Sequence, residues 1–136
     1  MTQQVKVALI TGGIGGIGTA ICQRLAKDGC RVVANHHPAE QEAADVWRQA
    51  RAEEGLEIDT AAGDVSSAED GARMVQEIID RFGGVDILVN CAGIIRDKTF
   101  KKMEASHWEA VINVNLNSVF NATRPVWEGM LERGFG

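Results

Sequence analysis

The sequence predicts an α/β fold: one parallel sheet with helices on both faces, wound in the order β-α-β-α-β-α-β-α. Three observations predict it. Short apolar runs alternate with amphipathic stretches along the whole chain, the pattern of strands joined by helical crossovers. The run VALIT at 7–11 is apolar up to its closing threonine, as befits a strand buried on both faces rather than one. Directly behind it lies TGGIGGIGTA at 11–20, a glycine-rich turn placed between a strand and a helix.

Each element has its own signal. After the glycines, Ile17, Ile21 and Leu25 recur at helical spacing and Gly29 is a natural stop. RVVAN at 31–35 reads as the second strand. Pro38 opens the next helix, Glu40 and Glu42 suit its first turn, and Gly55 ends it. EIDTAA at 57–62 is the third strand. Ser66 and Glu69 have capping-box spacing ahead of Val75, Ile78, Ile79 and Phe82. Gly83 and Gly84 close that helix, and VDILVN at 85–90 is the fourth strand. A long last helix is expected from about 105 to 133, opening at Glu104 with Ser106 as a possible cap and kinked at Pro125. The expected strand order is 3-2-1-4, which places the turns behind strands one and four at one crevice, where ligands of such sheets bind.

The bulk numbers narrow the function. The 136 residues, 45% hydrophobic and 24% charged, suit one domain with a single core. A net charge of −5 without a basic stripe argues against nucleic acid. No apolar run is long enough for a membrane span, and the MTQQVKV start lacks the apolar core of an export signal. Three cysteines outside any C-x-x-C pair suit reduced thiols in a cytoplasmic protein. Of three histidines only His36 and His37 cluster, so no metal site is expected.

Two glycine registers fit the loop. Gly13, Gly15 and Gly18 match G-x-G-x-x-G, while Thr11, Gly12, Gly16 and Gly18 match T-G-x-x-x-G-x-G. In both, absent side chains let backbone N–H groups at a helix start, with Ile17 among them, approach a pyrophosphate. A mononucleotide P-loop is excluded because Thr19 stands where its lysine must be. A Rossmann-type dinucleotide site is the reading that remains. The second strand closes on ANHHP with no carboxylate before Glu40. Asn35, His36 and His37 can donate to a 2′-phosphate, which points to NADP(H) over NAD(H).

TGGIGGIG, GDV at 63–65, NCAG at 90–93 and VNLNSVF at 114–120 follow one another in an order that resembles the short-chain dehydrogenase/reductase family. Within it, ICQRLAKDG, AGIIRDKTFKKM and HWEAVINVNLNSVFNAT are most similar to acetoacetyl-CoA reductases and 3-oxoacyl-acyl-carrier-protein reductases. The resemblance implies that Gly12, Gly16 and Gly18 line the pyrophosphate. It implies that Asp64 bonds the adenine amino group beside Val65, and that Asn90, Ala92 and Gly93 shape the turn at the nicotinamide ribose. Asn115 would match the helix asparagine that props a water in the proton relay. Asp97, with Lys98, Lys101 and Lys102, would border the mouth for an acyl thioester substrate. Asp64 also has a plainer role open to it, capping its own turn before Ser66.

Cys91 departs from the family's usual N-N-A-G. The larger departure is that the family's catalytic serine and Tyr-x-x-x-Lys follow a fifth strand, and this sequence has no tyrosine. The resemblance therefore implies the cofactor half of a reductase that assembles as a homotetramer. A nucleotide-binding fragment without catalysis stays open for the chain as given. The fourth strand would then be an apolar edge, prone to aggregation.

Overall fold

A computed structural model describes residues 4–136. Four parallel strands, β1 (Val7–Ile10), β2 (Arg31–His36), β3 (Asp59–Ala62) and β4 (Ile87–Val89), form one sheet in the expected order β3-β2-β1-β4. The helices between them are α1 (Gly16–Lys27), α2 (Gln41–Glu53) and α3 (Ala68–Phe82), with α4 (Ala105–Ile112) and α5 (Ser118–Arg133) after the last strand. The period-two pattern of the central strands sorts the core into two layers. Val7, Leu9 and Val33 pack with Val75, Ile78 and Val126, on the side of α3 and α5. Ala8, Ile10, Val32 and Ala34 pack with Cys22 and Ile58, on the side of α1 and α2.

Several boundaries differ from the expected ones. β3 starts at Asp59, the first residue with a ladder partner on β2, Val33. β2 runs one residue further, because His36 pairs with Ala62. β4 is only three residues long: Asp86 already serves β1, its carboxylate and N–H bonding the Val7 N–H and carbonyl at 2.8 and 2.9 Å. Pro38 opens a 3-10 turn, Pro38–Glu40, ahead of α2 rather than the α-helix itself. The cap of α3 is Ser67, whose hydroxyl accepts from the Asp70 N–H at 3.1 Å. Ser66 is spent elsewhere: Asp64 Oδ1 takes both its N–H, at 3.0 Å, and its hydroxyl, at 2.6 Å.

The last helix is not one helix. A π-helical stretch, Asn113–Asn117, separates α4 from α5, so the irregularity lies eight residues or more before Pro125. Such insertions recur at functional sites. Pro125 sits inside α5, and its missing N–H leaves the Asn121 carbonyl without that helical donor. That carbonyl lies against Gly71 of α3, where a Cβ would come within 3.0 Å. Glu104, not Ser106, is the N-cap of α4, and its N–H donates to His107 Nδ1 at 3.0 Å.

One side of α5 meets α3, and Asn121 Nδ2 donates to the Val65 carbonyl at 2.9 Å. Arg133 ties its far end to the start of β4, donating to the Val85 carbonyl at 2.7 Å and pairing with Asp86 at 3.3 Å. The other side leaves Val119, Phe120, Trp127 and Leu131 exposed, with Leu116 before them. Among the described residues no helix is long and apolar enough to cross a membrane.

Candidate functional site

The carboxyl ends of β1, β2, β3 and β4 meet at two buried polar residues. Thr11, just past β1, receives the N–H groups of Cys91 and Ala92 on its Oγ1 at 3.0 and 3.1 Å, while its own N–H donates to the Val89 carbonyl at 3.0 Å. Asn35, on β2, accepts the Gly12 N–H on Oδ1 at 3.1 Å, and its Nδ2 donates to the Gly63 carbonyl at 3.0 Å. These two side chains fix the glycine loop against the turns behind β4 and β3. A buried polar group persists only when its partners are supplied, and both are fully partnered here.

The glycines then divide by what a side chain would meet. Gly12 has φ +59°, and a Cβ there would lie 2.8 Å from Ala92 Cα. Gly13 is packed on Ala34, and a Cβ on Gly18 would come 2.5 Å from the Gly12 carbonyl oxygen. Those three are glycine because protein fills the space. Around Gly16 nothing lies within 4 Å, and around Gly15 only the Gly12 carbonyl oxygen, at 3.4 Å. The backbone bonds of Gly15 and Thr19 close the turn, but the N–H groups of Gly16, Ile17 and Gly18 have no intrahelical acceptor, as the first amides of any helix do not. Gly16 and Ile17 are exposed and Gly18 is buried, so the donors open to solvent at the positive end of α1 are at Gly16 and Ile17.

Beside it runs a cleft of about 290 Å³, lined by Gly12, Gly15, His37, Asp64, Val65 and Gly93 among others. Asp64 does cap its own turn through Oδ1, as above, while Oδ2 stays within 3.8 Å of His37 Nε2. Its backbone N–H donates to the Asp70 carboxylate at 2.6 Å. Arg73 and that N–H hold Asp70 below the ordinary carboxylate range, the Arg73 bond foremost. Ala92 and Gly93 line the cleft, whereas the Asn90 side chain bonds Thr123 Oγ1 at 3.2 Å on α5.

The three donors expected at the end of β2 do not act together. Asn35 is buried, and its Nδ2 is committed to backbone carbonyls. The His36 ring is buried too, its Nδ1 donating to the His37 carbonyl at 2.8 Å. Both residues belong to β2, whose pleat and pairing carry their side chains inward. All three line the cleft, but only His37, past the strand, has a half-exposed ring there.

A second cavity, about 640 Å³, opens on the far side of Ile94. Asp97, Lys98, Met103, His107 and Trp108 line it together with Asn115. Asn115 lies in the π-helical stretch and clamps the backbone of Ile94, its Oδ1 accepting the N–H at 2.7 Å and its Nδ2 donating to the carbonyl at 3.0 Å. Ile94 borders both cavities, so one asparagine fixes the wall between them. Asn113 and Asn117 bond each other at 2.8 Å and take no part. The sequence marked Asn115 but not its partner, since nothing in the residue at position 94 signals a clamped backbone.

Comparison with known proteins accords with this geometry. Acetoacetyl-CoA reductase of Allochromatium vinosum is 72% identical over 96% of this chain, which spans 53% of that protein. Among solved structures, an actinorhodin polyketide ketoreductase with NADPH matches with a TM-score of 0.91 at 36% identity, over 99% of this chain and 52% of its own. A gluconate 5-dehydrogenase from Burkholderia cenocepacia in complex with NADP and tartrate matches with a TM-score of 0.85, also at 36% identity, over 96% of this chain and 51% of its own. This chain thus spans about half the length of the relatives it matches. The family model for short chain dehydrogenases matches residues 6–136, and the chain belongs to that family of oxidoreductases.

Proposed function

We propose that the cleft holds the adenosine and pyrophosphate of NADP(H), and that the whole protein reduces a 3-oxoacyl thioester of the acetoacetyl-CoA kind to the 3-hydroxyacyl thioester. The observation that carries the cofactor reading is Gly16. No protein atom explains its missing side chain, and its own amide and the next two, of Ile17 and Gly18, lack intrahelical acceptors. A pyrophosphate supplies both the reason for the gap and the acceptors. The two solved relatives were determined with NADPH or NADP, which supports the choice of dinucleotide. The substrate reading rests on the 72% likeness to an acetoacetyl-CoA reductase.

When bound, the dinucleotide supplies the hydride. This chain's residues bind and orient. Gly16, Ile17 and Gly18 present N–H groups to the pyrophosphate, Asp64 with Val65 lines the adenine end, and Ala92 with Gly93 leaves room for the second ribose. Asn115 is a positioning residue: by holding Ile94 it keeps the cofactor cleft and the substrate cavity adjacent but separate. The 640 Å³ cavity takes the acyl chain, and Lys98, Lys101 and Lys102 attract the phosphates of a coenzyme A thioester.

The test uses the purified product of the gene that carries this sequence. Acetoacetyl-CoA-dependent oxidation of NADPH is expected. A product that binds NADPH but turns over no 3-oxoacyl thioester overturns the substrate reading, and one that binds no nicotinamide dinucleotide overturns both.

A further inference from the structure

Thr19 rules out a P-loop by standing in the place of its lysine, and the folded chain gives it another task. Its hydroxyl touches two groups. Trp47 of α2 donates from Nε1 to Thr19 Oγ1 at 2.9 Å, and Oγ1 donates to the Gly15 carbonyl at 2.6 Å. The direction of this relay is forced. An indole N–H only donates, so it occupies a lone pair of the hydroxyl and leaves the hydroxyl's one proton for Gly15. The same carbonyl accepts the Thr19 N–H at 2.8 Å, the first helical bond of α1. Trp47 is itself held. Its ring packs against the core layer on the side of α1 and α2, and Arg51 lies 5.3 Å over it. Arg51 bonds Glu54 at 2.9 and 3.1 Å, and Glu54 accepts from Gln23, one turn further along α1, at 2.9 Å.

The Gly15 carbonyl and the Gly16 N–H belong to one peptide group, and across a trans peptide the two point in opposite directions. Holding the carbonyl toward the helix therefore aims the N–H outward from its start, where Gly16 is exposed. The torsions on either side of that peptide belong to two glycines, the residues that least resist turning it over. Turned over, the peptide would present a carbonyl oxygen to a phosphate. Resting on the dinucleotide reading above, we propose that Thr19 and Trp47 are positioning residues for the pyrophosphate. Thr19 keeps the Gly15–Gly16 peptide in the orientation that offers its N–H to the anion, and Trp47 acts through Thr19 by fixing which way the hydroxyl donates. Helix α2 thereby takes part in a site whose described lining includes none of its residues.

The experiment is calorimetric titration of NADPH, and of NADH in parallel, into the purified product of the gene that carries this sequence. The variants are Thr19→Val, Thr19→Ser, Trp47→Phe and the double variant Thr19→Val with Trp47→Phe, and thermal melts confirm that each is folded. Both dinucleotides carry the same pyrophosphate, so the same relative changes are expected for each. Thr19→Val keeps the branched shape but loses the hydroxyl, and its Kd is expected to rise about three- to tenfold, the size of one hydrogen bond. Thr19→Ser keeps the hydroxyl and is expected to bind more tightly than Thr19→Val, whereas a role in packing alone would make the smaller serine the worse of the two. Trp47→Phe is expected to raise Kd about threefold when Thr19 is present and to add nothing to Thr19→Val, because the two side chains act as one unit. Thr19→Val that binds as tightly as the unmodified protein overturns the proposal, whatever its stability. A Trp47→Phe effect of equal size in both backgrounds, or of none in either, overturns it too, and all these results leave the dinucleotide reading standing. Folded unmodified protein that binds neither dinucleotide overturns that reading and this proposal with it.

Discussion

Gly16→Ala and Gly18→Ala, two positions apart in the same loop, are expected to act in opposite ways. At Gly18 an added Cβ lies 2.5 Å from the Gly12 carbonyl oxygen and 2.7 Å from Gly13 Cα. Ordinary van der Waals contact begins at 3.4 Å, so the methyl overlaps backbone by most of an ångström. Backbone held by Asn35 and by β1 cannot yield cheaply, and overpacking of this kind costs about 1–3 kcal/mol. That is a large fraction of a typical domain stability of about 5–15 kcal/mol, or a fall in Tm of roughly 3–5 °C per kcal/mol at this size. At Gly16 the new methyl meets nothing within 4 Å. It reduces the freedom of the unfolded chain and joins a helix, so stability is expected to hold or rise by up to about 1 kcal/mol. The same methyl stands where the pyrophosphate must approach, and the Kd for NADPH is expected to rise at least tenfold, about 1.4 kcal/mol. The assays are thermal melts and fluorescence titration with NADPH on the same samples. Unchanged NADPH binding by Gly16→Ala refutes the cofactor reasoning. A Gly16→Ala protein as unstable as Gly18→Ala refutes the division of the glycines.

Asn35→Ala removes the acceptor for Gly12 N–H and the donor to the Gly63 carbonyl. Each orphaned backbone group costs about 1–3 kcal/mol, so urea unfolding should show a loss of roughly 3–5 kcal/mol, and a loss under about 1 kcal/mol contradicts the keystone role. Asn115→Ala frees both backbone groups of Ile94; amide exchange at Ile94 is expected to accelerate strongly while the rest of the sheet stays protected. The Cys22 thiol, fully buried, is pushed up to about 12, mainly by burial, with the neighbouring Cys91 adding to it. A folded value above the unfolded value favours the folded state below the ordinary thiol pKa, and that contribution is lost as pH rises from about 8.5 toward 12. Stability should therefore fall across that alkaline window in the native chain and less so in Cys22→Ala, which pH-dependent denaturation measures. In native protein at neutral pH, Cys22 should resist a thiol reagent that labels it after unfolding.

The sequence by itself determined the layer architecture and the strand order. Continuous apolar runs such as VALI and RVVA, alternating with helices, have few other ways to be buried. It also located the glycine loop, because glycines between a strand and a helix carry their meaning in the chain itself. What it did not determine is which side chains of that site face a ligand. Asn35, His36 and His37 are three consecutive polar residues of similar donor capacity. Their fates are set by where β2 stops pairing with β3, at His36↔Ala62, which is a non-local event. The π-helical stretch at 113–117, and the hold of Asn115 on Ile94 across 21 positions, likewise depend on how the last helices meet the turn behind β4. The difference between a glycine required by packing and one left open is of the same kind. The chain specifies that Gly16 and Gly18 lack side chains, but the reason for each absence is the presence or absence of neighbours, and neighbours distant in sequence are brought together only by the folded sheet.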